Sequence, residues 1–310
     1  MRVFVTGVSG QLGHDVMFEL TRRGHVAWGT ARRLQEEFPA VRDELTTEDR
    51  VPTFRILDLT DEPAVRAEIE KLKPDAIIHC AAWTAVDAAE ESENRAAVYG
   101  SNVLATRYLV EAAKSAGAKI LYLSTDYVFD GQGERPWQPD DKNYAPLNVY
   151  GQSKLDGELA VAGTLEKYFI VRIAWVFGKN GKNFIKTMLN VGKTHDTVRV
   201  VNDQIGTPTY TADLARLLVD MIETEKYGYY HATNEGGYIS WYDFTCEIYR
   251  QAGLSTKVLP VTTAEYGLSR AKRPFNSRLD KSKLVEAGFQ PLPDWKNALS
   301  RYLIEIGELK

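Results

Sequence analysis

Cysteine is nearly absent: the 310-residue chain has two, Cys80 and Cys246. That excludes both a disulfide framework and a cysteine metal cage. Cys80 lies in the apolar run AIIHCAA, where a small buried hydrophobe is expected rather than a reactive thiol. Long apolar runs are missing as well, and none approaches the roughly 20 residues that cross a bilayer. The opening MRVFVTG goes straight into a strand pattern without the apolar core of a signal peptide, so the reducing cytoplasm is the expected location. Positive charge is not in excess: 38 Lys and Arg against 42 Asp and Glu leave a formal net charge of −4. No nucleic-acid partner is therefore expected, since such proteins usually carry a basic face, although Arg270, Lys272 and Arg273 form a local cluster. His14, His25, His79, His195 and His231 show no ligand spacing, and no metal site is read from them. Internal repeats and low-complexity tracts are absent too. What remains is an ordinary globular composition, 44% hydrophobic and 26% charged, enough for a substantial core.

In the first half, short apolar runs alternate with helical patterns. RVFVT, HVAWGT, FRILD, DAIIHCAA, AKILYLST and FIVRIAWVFG are strand candidates. Helices are expected from Gln11 to about Arg23, and at 61–73, 87–116 and 150–163. Asp61 followed by Pro63 marks a helix start, and Gly117 marks a stop. Runs that are apolar throughout, rather than alternating, fit strands buried on both faces of a parallel sheet. The fold class is therefore α/β, a doubly wound parallel sheet. Residues 32–53 are polar and charged, which predicts a surface loop. After about residue 178 the rhythm changes, with helices at 183–193, 211–224, 240–253 and 294–308 and strands at VRVV, YGYYHAT and KVLPV. The expected division is a dinucleotide-binding domain over 1–178 that carries the catalytic residues. A smaller substrate-binding region over 179–310, interleaved with the first, would form one wall of a cleft. Ligands of such sheets bind outside the carboxyl ends of the strands.

The stretch VTGVSGQLG sets Gly7, Gly10 and Gly13 between the first strand and the first helix, with Gln11 and Leu12 at the helix start. Glycines there permit a tight turn and a close backbone approach to a pyrophosphate, and the helix N-terminus adds N–H donors and positive dipole. The second strand ends in Arg32 and Arg33, where an acid would serve a ribose 2′-hydroxyl. Guanidinium groups suit a 2′-phosphate, so NADPH is the expected cofactor, with NADH as the alternative. The plain alternative for the arginines is a solvated pair opening a surface loop. Asp58 and Leu59, after the third strand, are placed to meet the adenine, although Asp58 could also cap the next helix.

In APLNVYGQSKLDGE, Tyr150 and Lys154 stand four residues apart. On a helix they share a face, so an ammonium there can favour the scarce phenolate. Together with the glycine pattern and STDYVFDG (124–131), this pair resembles the extended short-chain dehydrogenase/reductase family, a Rossmann-fold family. AAWTAVDAAE, PLNVYGQSKLDGE, RIAWVFG, NF at 183–184, DQIGTPTY and RPFNSRLD resemble the dTDP-4-dehydrorhamnose reductases within it, in order along most of the chain. The resemblance implies that Tyr150 gives a proton to a ketone oxygen, that Lys154 holds the nicotinamide ribose, and that Thr125 hydrogen-bonds the carbonyl. It implies cofactor contacts at Ala81, Ala82, Trp83 and Asn102, and substrate contacts at Thr125, Asp126, Trp175 and Val86, with Asp87 and Glu90 near the sugar pocket. A dTDP-sugar substrate follows from it, a homodimer is left open, and some relatives bind magnesium between subunits. Other nucleotide-sugar ketoreductases, epimerases or dehydratases share much of this pattern. So does a regulatory descendant without catalysis, the β-subunit of methionine adenosyltransferase.

Overall fold

The structure is a computed structural model and describes residues 1–32 and 53–309. Arg33 and nearly all of the loop expected at 32–53 lie outside the described residues. A seven-stranded sheet organises the molecule. Its central strand is β1 (Arg2–Thr6), flanked on one side by β2 (Val26–Ala31) and β3 (Thr53–Ile56). On the other side stand β4 (Ala76–His79), β5 (Lys119–Thr125), β6 (Tyr168–Ile173) and the edge strand Gly228–His231. Every pairing in this sheet is parallel. The order reverses between β1 and β4, and a crevice opens there beyond the carboxyl ends.

Strand alternation assigns the cores. Val3, Val5, Ile78, Leu121 and Val171 face one side, against helix α1 (Gln11–Arg22) and the helix Thr211–Ile222. Phe4, Ile77, Ile120 and Ile170 face the other, against the helices Glu62–Leu72 and Ala105–Ala116. Burying each such side chain contributes about 1.5–3 kcal/mol, which is why the strands read as continuous apolar runs. A third core, with Phe177, Ile185, Leu189, Phe244, Leu299 and Tyr302, belongs to the region beyond the sheet. Elements from after residue 178 serve both bodies: Thr211–Ile222 covers α1, and Gly228–His231 extends the sheet beside β6. Among the described residues no helix is long and apolar enough to cross a membrane.

Two expected elements are broken, and both breaks lie at the cleft. The single helix expected over 87–116 is interrupted by short turns and by a π-helical turn at Gly100–Leu104 before Ala105–Ala116 begins. Within that turn Asn102 is drawn towards the backbone of Trp83. The run FIVRIAWVFG is two strands, because Trp175 takes φ 51° and turns the chain. Val176–Phe177 then leaves the large sheet and pairs with Thr209–Tyr210. A bulky residue in this left-handed region is a true outlier, and holding it costs on the order of 1–3 kcal/mol.

Candidate active site

A cleft of about 1340 Å³ runs along the carboxyl ends of the strands, from Gly7 to Trp241. At its floor Gly7 takes φ 71° and its N–H donates to Thr30 O at 2.9 Å. Gly10 precedes α1 in an extended conformation, with no side chain capping the helix. The first N–H groups of α1 are therefore left for a ligand. A Cβ at Gly13 would stand 2.3 Å from Gly7 O, so the helix can start this close to the loop only with glycine there. Donors, dipole and absent side chains together fit a dinucleotide diphosphate. Leu12 packs into the core and also lines the cleft, and the Gln11 side-chain Oε1 accepts from Asn183 Nδ2 at 3.0 Å. Asn183 Nδ2 also lies 2.9 Å from Tyr302 Oη, so the loop is anchored to the C-terminal region.

Arg32 and Asp58 stand at the far end of the cleft, with Leu59 beside them. The Asp58 carboxylate accepts from Thr60 N at 2.9 Å and Thr60 Oγ1 at 2.7 Å. These bonds hold it below the usual carboxylate range. Ala81, Ala82 and Val86 line the middle. Trp83 is not among the lining residues, and its indole donates to Ala85 O at 3.1 Å. Asn102 does not line the cleft either. It is buried, accepts from Trp83 N at 2.7 Å and donates to Ser153 Oγ at 2.9 Å, tying the 81–85 loop to the helix that carries Tyr150.

A polar string runs beneath this loop. Thr106 Oγ1 donates to Asn102 O at 2.8 Å and so accepts from His79 Nε2 at 3.1 Å. His79 Nδ1 must then accept from Thr6 Oγ1 at 2.7 Å, and Thr6 Oγ1 accepts from Ala81 N at 3.1 Å. His79 is thereby fixed as the neutral Nε2–H tautomer, which burial also requires by pushing its pKa down to about 3. Cys80 lines the cleft, but burial pushes its thiol up to about 12, so no thiolate forms near neutral pH.

Thr125 ends β5, and the helix Val149–Thr164 delivers Tyr150 and Lys154 to the same place. Asn148 caps this helix by accepting from Gly151 N at 2.8 Å. A Cβ at Gly151 would lie 2.3 Å from Tyr127 O, so the missing side chain lets the helix start lie close to the Asp126–Val128 turn. Burial pushes the Tyr150 hydroxyl above the ordinary phenol value, and the neighbouring Thr125 hydroxyl pulls the other way. Thr125 Oγ1 lies 2.9 Å from Asp126 Oδ1. Asp126 is buried, its Oδ2 has no hydrogen-bond partner among the described residues, and burial, opposed by the nearby Ser277 and Thr125 hydroxyls, pushes its carboxyl up to about 6. Lys154 Nζ sits 4.1 Å above the Tyr122 ring centroid. Burial lowers the Lys154 pKa to about 7, with the Glu158 carboxylate opposing. The spacing of Tyr150 and Lys154 predicts an ammonium acting on a phenol; burial is the larger influence on both groups.

The depressed amine has a consequence for stability. Between about pH 7 and the ordinary lysine value near 10.4 the unfolded chain binds more protons at this site, so stability rises with pH across that window. Lys154→Met is expected to remove turnover. At and below pH 7 it should be more stable than wild type by about 0.5–2 kcal/mol, a gap that closes towards pH 10. Urea denaturation across that range is the measurement, and parallel curves for the two proteins would refute the assignment.

The remaining wall is aromatic. Trp175 stacks on Trp241 at 3.7 Å between centroids with 16° between planes, and Phe184 lies 4.5 Å from Trp241. These rings and Phe244 line the same cleft as Tyr150.

The profile of the RmlD substrate binding domain matches residues 1–307. The chain belongs to that family. A dTDP-4-dehydrorhamnose reductase of Aggregatibacter actinomycetemcomitans is 40% identical, covering 96% of this chain and 97% of the relative. A spore coat polysaccharide biosynthesis protein of Bacillus subtilis is 36% identical over 98% of this chain and 97% of its own. The dTDP-4-dehydrorhamnose reductase of Bacillus anthracis, crystallised in complex with NADP, superposes with a TM-score of 0.85 at 38% identity, covering 98% of this chain and 99% of that one.

In this RmlD-family chain, sequence reasoning passed over Trp241, Arg273 and Lys182, all of which line the cleft. Arg273 pairs with Asp87 at 2.5 Å, and Asp87 also accepts from Ala271 N at 3.0 Å. Glu90 accepts from Val149 N at 2.8 Å. The two acids of AAWTAVDAAE thus hold the 271–273 segment and the helix that carries Tyr150 beside the cleft. The signal for Arg273 was RPFNSRLD, read only as a resemblance. Trp241 lies inside a capping box, between Ser240 and Asp243, and nothing local marks it as cleft-facing.

Proposed function

We infer that the protein reduces the C4 ketone of dTDP-4-dehydro-L-rhamnose with NADPH, in the cytoplasm, giving dTDP-L-rhamnose. The observation that carries this reading is the convergence of Thr125, Tyr150 and Lys154 on the same cleft that the glycine loop lines. A purely regulatory descendant would need none of the three. NADPH, when bound, supplies the hydride. The loop of Gly7, Gly10 and Gly13 with Gln11 would hold the diphosphate, and Arg32, Asp58 and Leu59 would hold the adenosine end. Ala81 and Ala82 line its middle, and Asn102 sets the height of that loop.

Hydride addition leaves charge on the ketone oxygen, and the two hydroxyls that face this position meet it. Thr125 turns its one hydroxyl proton from Asp126 Oδ1 to that oxygen, and Tyr150, kept protonated by burial, delivers its phenolic proton. Lys154 beneath them offsets the charge left on Tyr150. Trp175 and Val86 wall the sugar, and Asp126 offers an acceptor to a sugar hydroxyl. The assay is NADPH absorbance with a panel of dTDP-4-ketosugars. Tight NADPH binding by correctly folded protein, with no turnover on any of them, would overturn the reading.

Arg32 provides a second check. Arg32→Ala should raise KM for NADPH about 10-fold, the scale of one charge-assisted contact, and leave NADH use unchanged. An unaltered NADPH to NADH ratio would make Arg32 a surface charge.

A further inference from the structure

We propose that Trp241 and Gly206 are positioning residues: together they fix the plane of Trp175, and through it the affinity of the cleft for the sugar of a nucleotide-sugar. The inference rests on the functional reading above and deepens it. Trp175 carries a backbone conformation that a tryptophan rarely adopts, φ 51°, so its surroundings must hold it there. Thr209 does part of this: its N–H donates to Trp175 O at 3.1 Å, and its hydroxyl donates to Ala174 O at 2.6 Å. These bonds fix the backbone but leave the indole free to turn.

The indole is held by two other residues. One face lies on Trp241, near-parallel at 3.7 Å. Its edge passes over Gly206, where a Cβ would stand 2.9 Å from Trp175 Cε2 and 3.1 Å from Cζ2. That position can therefore carry no side chain while the ring keeps this plane. The two contacts are parts of one unit, because Ile205–Gly206 pairs antiparallel with Ile239–Ser240 and Trp241 follows immediately. The capping box of Ser240 and Asp243 sets the direction in which the helix carrying Trp241 departs. With one face and one edge occupied, the indole presents its remaining surface to the cleft that Tyr150 also lines. A ring held in this way suits the C–H face of a sugar, which gains from a flat, rigid aromatic wall.

Stacked indoles couple their electronic transitions, and Trp175 with Trp241 is the only stacked tryptophan pair among the described residues. Circular dichroism therefore reads the plane directly, as an exciton couplet. In Trp241→Ala the couplet should vanish and affinity for dTDP-L-rhamnose, measured by calorimetry, should fall about 10-fold, the scale of one aromatic contact. Affinity for NADPH should stay within about 2-fold of wild type. Trp241→Phe should restore most of the sugar affinity, because it keeps a ring against Trp175. Gly206→Ala should alter the couplet and weaken the sugar without touching either tryptophan. Unchanged sugar affinity in Trp241→Ala, or an equal loss for NADPH, would overturn the proposal. A wild type that shows no ketone-dependent NADPH oxidation would instead count against the functional reading, and leaves the couplet measurements as a test of positioning alone.

Discussion

Tyr150→Phe should lower kcat by about 100-fold or more, the scale of a positioned acid removed from its reaction. The substitution deletes one oxygen from a buried ring whose packing is otherwise kept. The edge-on contact with Tyr127, 5.6 Å between centroids, needs only the ring. The helix start is held by Asn148 and Gly151 rather than by the phenol. Affinities for NADPH and the sugar nucleotide should therefore change by no more than about 3-fold, less than 1 kcal/mol. The loss then falls in kcat and kcat/KM together, as for an interaction made only in the transition state. Burial has already pushed this hydroxyl up, so it rests protonated at neutral pH and its proton moves only when a stronger base, the developing alkoxide, lies against it. Near-normal turnover by the variant would remove Tyr150 from the mechanism.

The second large effect concerns stability. Arg172 is fully buried on β6 and forms a bidentate pair with Glu158, at 2.9 and 2.8 Å. Its guanidinium also reaches Pro139 O at 3.0 Å and Tyr144 Oη at 3.1 Å, and lies over the rings of Phe129 and Tyr229 at 4.9 Å. Arg172→Met leaves Glu158 buried without this partner, which should cost about 3–5 kcal/mol and lower Tm by roughly 10 °C. Replacing both, Arg172→Met with Glu158→Leu, should recover most of that loss, since a buried pair is often no better than apolar residues of similar volume. Glu158 stands one turn beyond Lys154, so in the single variant its freed carboxylate should also draw the Lys154 pKa upward. Thermal melting of the single and double variants checks this. A single variant as stable as wild type would show that the pair contributes nothing.

Much of the site could be read in the sequence because its chemistry is local. The glycine loop occupies one strand-to-helix turn, and Tyr150 with Lys154 occupy one turn of one helix. The strands of the parallel sheet could be read because burial on both faces leaves no polar alternation. Arg172 was the exception inside such a run, and sequence alone does not reveal that its partner waits on a neighbouring helix. The turn at Trp175 was hidden for a different reason. FIVRIAWVFG stays apolar across the break, and hydrophobic pattern carries no information on the sign of φ. The interruption at Gly100–Leu104 was hidden likewise, since the cause lies in Trp83, far along the chain from Asn102. Trp241 and Arg273 reach the cleft only through tertiary packing of the C-terminal region.

Gln11 leaves the ribosome well before the amide that anchors it, Asn183, and longer still before Tyr302. Chain growth at about 5–20 residues per second makes that interval long compared with the closing of a loop. The nascent glycine loop must wait, with its strand already formed, for partners from beyond the sheet. Dinucleotide capture by ribosome-bound intermediates of increasing length should accordingly appear abruptly, when the helix Trp295–Glu305 leaves the exit tunnel, rather than growing with each completed strand.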